Sequence, residues 1–309
     1  MTINYIIKIV KSHTLLYNIG KFIKKLFLLV ISPIGIILDL YTVPHNCPPI
    51  PIYKRIANTF IYRISQYGMY LKDNEKSLVY YNNRYTDSRC FIIGNGPSLN
   101  HLDLSKIKDE FTFGVNAIYT NYEKMEFLPT FYVVEDVFVA EDRAEEINEL
   151  KGTKKFFGNY LRYCLSDKDD ITWINVIFRY DKYKNFPHFS KNALRRVWTG
   201  GTVSYLCMQL AFYMGFKEVY LIGFDHSYHI PKEAQMDGND IISTTDDPNH
   251  FNSEYFGPGK RWHDPMVSRM EIAYYKAKST FEEDGRKIYN ATCGGQLEVF
   301  NRIDYNQLF

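Results

Sequence analysis

The chain has no C-x-x-C pair: Cys47, Cys90, Cys164, Cys207 and Cys293 are scattered and odd in number. That argues against a disulfide framework and the common zinc patterns, and it points to a reducing compartment, the cytoplasm. An excess of charge is also missing, with 37 basic against 35 acidic side chains. A dedicated nucleic-acid binder would be strongly basic, so no nucleic-acid partner is expected. Acids are absent before Asp39, where apolar blocks alternate with lysines. The longest uncharged run of this segment, Leu26 to Leu38, is 13 residues and holds Pro33 and Gly35. A spanning helix needs about 20 apolar residues, so no transmembrane helix is expected here. No A-x-A cleavage site follows, so a secretory signal is not expected either. Residues 1–45 read instead as an apolar, basic helical segment. Peripheral attachment to the inner face of the cytoplasmic membrane, packing on the chain's own domain and docking of a partner all remain open.

What the chain has in quantity is aromatic side chains, 17% of all residues. Core packing accounts for most of them, and stacking on a sugar or base for the rest. Residues 46–87 read as a linker, within the proline-rich stretch "VPHNCPPIPIYKR" (43–55), followed by a helical segment. From 88 to 309 short buried strands alternate with helices: "RCFIIG", "FTFGVNAIY", "TFYVVED", "KKFFGN", "KEVYLIGFD" and "RKIYNAT" read as strands. "LDLSKIKDE", "AEDRAEEINELKG", "GGTVSYLCMQLAFYMG" and "PMVSRMEIAYYKAKSTFEEDG" read as helices. This alternation predicts an α/β, Rossmann-like, doubly wound and mostly parallel sheet with helices on both faces. The polar stretch 229–264 is too long for an ordinary connection and reads as a lid.

In such sheets ligands bind beyond the carboxyl ends of the strands. Those positions hold Asn95, Gly96, Pro97 and Ser98; then Asn116; then Glu135 and Asp136; then Asp225, His226 and Tyr228. The Gly-Asn-Gly-Pro-Ser turn suits close approach of backbone N–H groups to an anion. It carries no lysine, which suits a weakly charged phosphate better than ATP; a turn needed only for geometry stays open. Thr199, Gly200, Gly201 and Thr202 open a core helix and read as a second anion site or as a helix cap with close packing. His250 and His263 in the lid, with His226 and His229, are the side chains whose ordinary pKa suits proton transfer near neutrality.

Three segments, "FIIGNGPSLN", "FGVNAIY" and "TGGTVSYLCMQLAFYMGFKEVYLIGFDHSY", together resemble the bacterial CMP-sialic acid-dependent sialyltransferases of the Campylobacter lipooligosaccharide type. They are also similar to the related motility accessory factor and hydroxymethylpterin diphosphokinase-like superfamily. The resemblance implies a metal-independent, cofactor-free inverting glycosyltransferase. It would move a nonulosonic acid or Kdo from a CMP-activated donor to a glycan or glycolipid acceptor in surface polysaccharide synthesis, in an oligomeric state left open. Asn95, Gly96, Ser98 and Asn116 would then lie by the donor's phosphate or ribose, Thr199 to Thr202 by its sugar, and Asp225 by cytidine. Tyr228 would steady the leaving phosphate. The general base is His250 first and His263 second, because Glu254 stands where the resembled enzymes carry their histidine. Two other readings compete: Mg/ATP-dependent diphosphorylation of a pterin, with Glu135, Asp136 and Asp225 as metal carboxylates, and a non-catalytic nucleotide-sugar-binding module.

Overall fold

The computed structural model describes residues 53, 73–166, 168–177, 187–238 and 240–309. The expectations for residues 1–45, and for most of 46–87, lie outside the described residues. Among the described residues no helix is long and apolar enough to cross a membrane.

After α1 (Asp73–Tyr81) the chain lays down β1 (Arg89–Ile93), β2 (Phe111–Val115), β3 (Phe131–Val134), β4 (Lys154–Gly158) and β5 (Ile171–Ile174) in order across one sheet. Between these strands run α2 (Tyr122–Met125), α3 (Val137–Asp142) and α4 (Ala144–Glu149). The chain then makes a separate two-strand pair, β6 (Val176–Ile177) and β7 (Val197–Trp198), and enters α5 (Val203–Met214). It returns to the far side of β1 as β8 (Glu218–Ile222). After a three-stranded antiparallel sheet, β9 (Gln235–Asp237), β10 (Asp240–Ile242) and β11 (Arg261–His263), it forms α6 (Val267–Glu283), β12 (Lys287–Asn290) and β13 (Asn301–Arg302). Among the described residues the main sheet has eight strands, all parallel, in the order β13-β12-β8-β1-β2-β3-β4-β5. Strand order reverses between β1 and β8, so the crevice at their carboxyl ends is the topological switch point.

All residues of β3 and β5, and all after the first in β1, β2, β4 and β8, are buried, as strands covered on both faces must be. Aromatic rings fill much of that core. Tyr85 stacks on Phe216 at 4.9 Å, and Phe113 meets Phe131 at 4.7 Å. The helix α5 is buried at every position, which follows from its nearly uniform apolar sequence, and it stops where Gly215 turns into left-handed backbone at φ 95°. Its Gln209 is fully buried and fully satisfied. The Oε1 atom accepts from the amides of Ser190 and Trp198, both at 2.9 Å, and Nε2 donates to the carbonyls of Trp198 at 2.7 Å and Tyr205 at 3.0 Å. A helix side chain thus hydrogen-bonds one edge of β7, while β6 pairs with the other.

The expected surface helix over "AEDRAEEINELKG" is two short helices, α3 and α4, broken at Arg143. Arg143 leaves the helical region because its guanidinium reaches the lid, donating to the carbonyls of Tyr255 at 2.8 Å and Glu254 at 3.3 Å. The lid is itself folded, as β9 to β11.

Candidate active site

At the switch point the loops after β1 and β8 lock together. The Gly94 amide donates to Ile222 O at 2.8 Å and the Gly96 amide to Gly223 O at 2.9 Å. Ser98 donates to the Asp225 carboxylate through Oγ at 2.7 Å and through its amide at 3.2 Å. A Cβ at Gly96 would lie 1.8 Å from Asp225 Oδ2, so glycine there is a steric necessity. Three amides of the expected anion cradle are therefore engaged by the protein. Asp225, read in sequence as a base-side contact, supplies the carboxylate that Ser98 holds.

Above this clasp opens a cavity of about 840 Å³. Asn95, Gly96, Asn116, Thr199, Gly201 and Thr202 line it. So do Asp225, His226, Tyr228, His250 and His263, which arrive from β8 and the lid. Pro97, Ser98 and Gly200 stand outside its lining: Pro97 opens a 3-10 turn, Ser98 serves the clasp, and a Cβ at Gly200 would meet the Tyr205 ring at 2.6 Å.

One wall is neutral. Asn95 Nδ2 donates to Val115 O at 3.2 Å and to the Tyr255 hydroxyl at 3.0 Å, leaving its Oδ1 buried without a partner among the described residues. Asn116, in left-handed backbone at φ 48°, also holds a buried Oδ1 with no partner among the described residues. Buried acceptors are normally satisfied, so two of them in one cavity call for donors on a ligand, such as hydroxyl or amino groups.

The lid contributes two histidines, each oriented by a carboxylate. His250 Nδ1 lies 2.6 Å from Asp247 Oδ2, and its ring is parallel to Tyr255 at 4.1 Å. Asp247 is nearly enclosed and also accepts from the amides of Asn249 at 2.8 Å and Phe256 at 3.0 Å, which fixes it. With Nδ1 engaged, Nε2 is the nitrogen left for chemistry. His263 Nδ1 lies 3.0 Å from Asp240 and stacks on Phe138 at 4.3 Å, with its side chain 35% exposed. His226, at φ 54°, sits 3.4 Å from Glu271, and burial lowers its pKa against the pull of that carboxylate. Tyr228 is 40% exposed among the lining residues, and Glu254 is exposed outside them.

Another part of the lining is charged. Thr199 Oγ1 donates to Glu135 Oε1 at 2.7 Å. Burial pushes the Glu135 carboxyl up to about 7, against the Thr199 hydrogen bond and the charges of Arg269 and His263. Burial raises Asp136 too, while one of its oxygens caps α3 by accepting from Val139 N at 3.0 Å. Sequence reasoning missed Asp247, Tyr255 and Arg269 as parts of the site. Asp247 was detectable, three residues before His250; Arg269 looks like any surface charge of a long helix.

Residues 65–231, more than half of the chain, match the family described as 6-hydroxymethylpterin diphosphokinase MptE-like. The chain belongs to the MptE-like family. No curated protein matches it. Among solved structures, 84% of this MptE-like chain aligns with 43% of the MAf glycosyltransferase from Magnetospirillum magneticum AMB-1, at 15% identity and a TM-score of 0.45. The chain spans less than half of that protein's length. The MptE-like segment carries the clasp, both asparagines and Glu135, whereas Asp247, His250, His263 and Arg269 all lie beyond its last matched residue.

Proposed function

We propose that the cavity transfers a sugar acid, a nonulosonic acid or Kdo, from a CMP-activated donor to a hydroxyl of a glycan or glycolipid acceptor. The observation that carries this reading is the Asp247–His250 pair at the cavity. His250 Nε2 would take the acceptor proton as the acceptor oxygen attacks the anomeric carbon. Asp247 holds the Nδ1 proton and steadies the imidazolium that forms. The bond between that carbon and the phosphate oxygen breaks as the new one forms, which inverts the centre, and CMP leaves with the electron pair. The unpartnered Oδ1 atoms of Asn95 and Asn116 suit ribose hydroxyls or the cytosine amino group. The Tyr228 hydroxyl, in the cavity lining, would donate to the departing phosphate.

Turnover of CMP-sugar acids by purified protein in EDTA tests the reading. His250→Ala is expected to lower kcat by about 10²- to 10⁴-fold. Unchanged turnover in both His250→Ala and His263→Ala would remove histidine as the base.

A second reading, pyrophosphoryl transfer from ATP to a hydroxymethylpterin, is favoured by the family description and by the Glu135–Asp136 pair. Magnesium is held by one or two carboxylates together with substrate phosphates. These two fit that need in number, although Asp136 gives one oxygen to a helix cap and Glu135 is only partly ionised near neutrality. EDTA would abolish this activity and spare the first. Binding of CMP without any turnover would identify a nucleotide-sugar-binding module.

A further inference from the structure

Any nucleotide or sugar acid brings an oxyanion into the cavity, yet the clasp already engages the amides of Gly94, Gly96 and Ser98. The counter-charge must come from elsewhere. Among the described residues that line the cavity, Arg269 is the one arginine or lysine. It belongs to the first turn of α6, and its stem runs past Gly201, where a Cβ would stand 3.7 Å from its Cδ and Nε. Gly201 is in left-handed backbone at φ 79°, which glycine adopts without strain, and its missing side chain leaves the guanidinium beside the start of α5.

We propose that Arg269 receives the ligand's oxyanion, a carboxylate or a phosphate, in competition with the Glu135 carboxylate, which lines the same cavity. A permanent structural ion pair would pull the Glu135 carboxyl below its usual range. Instead burial wins, and Glu135 is pushed up to about 7, so near neutrality that carboxylate competes with the ligand's anion only in part. Burial in turn lowers the pKa of Arg269, which an incoming anion would reverse. The hydroxyls of Thr199 and Thr202, also in the lining, complete the receiving wall. The inference rests on the cavity being a ligand site, as the proposed function does, but not on which donor is used.

Isothermal titration with cytidine, CMP, N-acetylneuraminate, ATP and inorganic phosphate tests it on the full chain and on R269Q, R269K and E135Q, with melting curves to confirm folding. R269Q is expected to weaken the anionic probe about 10- to 100-fold and to leave cytidine unchanged, with partial rescue in R269K. E135Q is expected to bind the anion at least as tightly as the parent chain. A loss confined to CMP or ATP relative to cytidine identifies a phosphate; a loss for N-acetylneuraminate identifies a carboxylate. Binding of ATP but not CMP sinks the CMP reading while Arg269 is still judged by the same variants. Equal losses for cytidine and the anion, no loss in R269Q, an equal loss in E135Q, or no binding of any anionic probe overturns the assignment.

Discussion

Glu135 is an acid that its surroundings keep short of full charge, and the sign of the effect on stability follows from that. Its folded pKa, about 7, lies above the ordinary glutamate value of 4.5. The folded state therefore binds more protons than the unfolded chain between those values, and stability declines as pH rises from about 4.5 through 7. Below that window the penalty is absent; above it the penalty is complete, on the order of 1–3 kcal/mol. Asp136 acts in the same direction, whereas His226, with its lowered pKa, acts oppositely on the acid side. Comparing Glu135→Gln with the parent isolates one group. The variant is expected to melt several degrees higher at pH 8 and within about a degree of the parent at pH 4.5, by calorimetry at both pH values. A difference that does not grow with pH would mean that Glu135 is ordinarily ionised.

Between elements, two fastenings set the cavity's shape. The first is the clasp across the β1 and β8 loops. Gly96→Ala places a methyl inside the Asp225 carboxylate's own volume. Urea unfolding is expected to show a loss of about 2–4 kcal/mol, against about 1–3 for Ser98→Ala, which removes a charge-assisted hydrogen bond without a clash. The second fastening holds the lid. The Tyr255 hydroxyl accepts from Asn95 Nδ2 and from the Ala117 amide at 3.2 Å, and Phe251 N donates to Asn95 O at 2.8 Å. Tyr255→Phe strands the Ala117 amide and leaves Asn95 Nδ2 its bond to Val115 O alone, and proteolytic cleavage within 229–264 is expected to accelerate while the melting midpoint moves little. How far these elements were legible in the sequence depended on what fixes them. Strands such as "RCFII" and "EVYLI" are buried runs bracketed by glycine or charge, and the helix from 203 to 214 carries its own cap and stop, so local pattern sufficed. The three-residue strands of the lid and the break at Arg143 answer to tertiary partners that no local window contains. The same holds for the site. Residues after strands were found because topology puts them there, whereas Arg269 enters through the packing of α6 beside Gly201.

At the scale of the whole molecule, the parallel sheet supplies a floor, and the cavity above it is lined from two parts of the chain. The family-matched segment brings the clasp, the asparagines and Glu135; the later chain brings the lid histidines and Arg269. Thr199 bonds Glu135, which follows β3 in that floor. Thr199 itself follows β7, whose other support is the Gln209 side chain. Gln209→Leu keeps bulk in α5 and leaves the amide and carbonyl of Trp198 without those partners. Exchange of the Trp198 amide with deuterium is expected to quicken about a hundredfold while the amides of β1 keep their rate. A single core rotamer would then act as the latch of a side hatch, through which water reaches the Thr199–Glu135 bond while the lid stays shut.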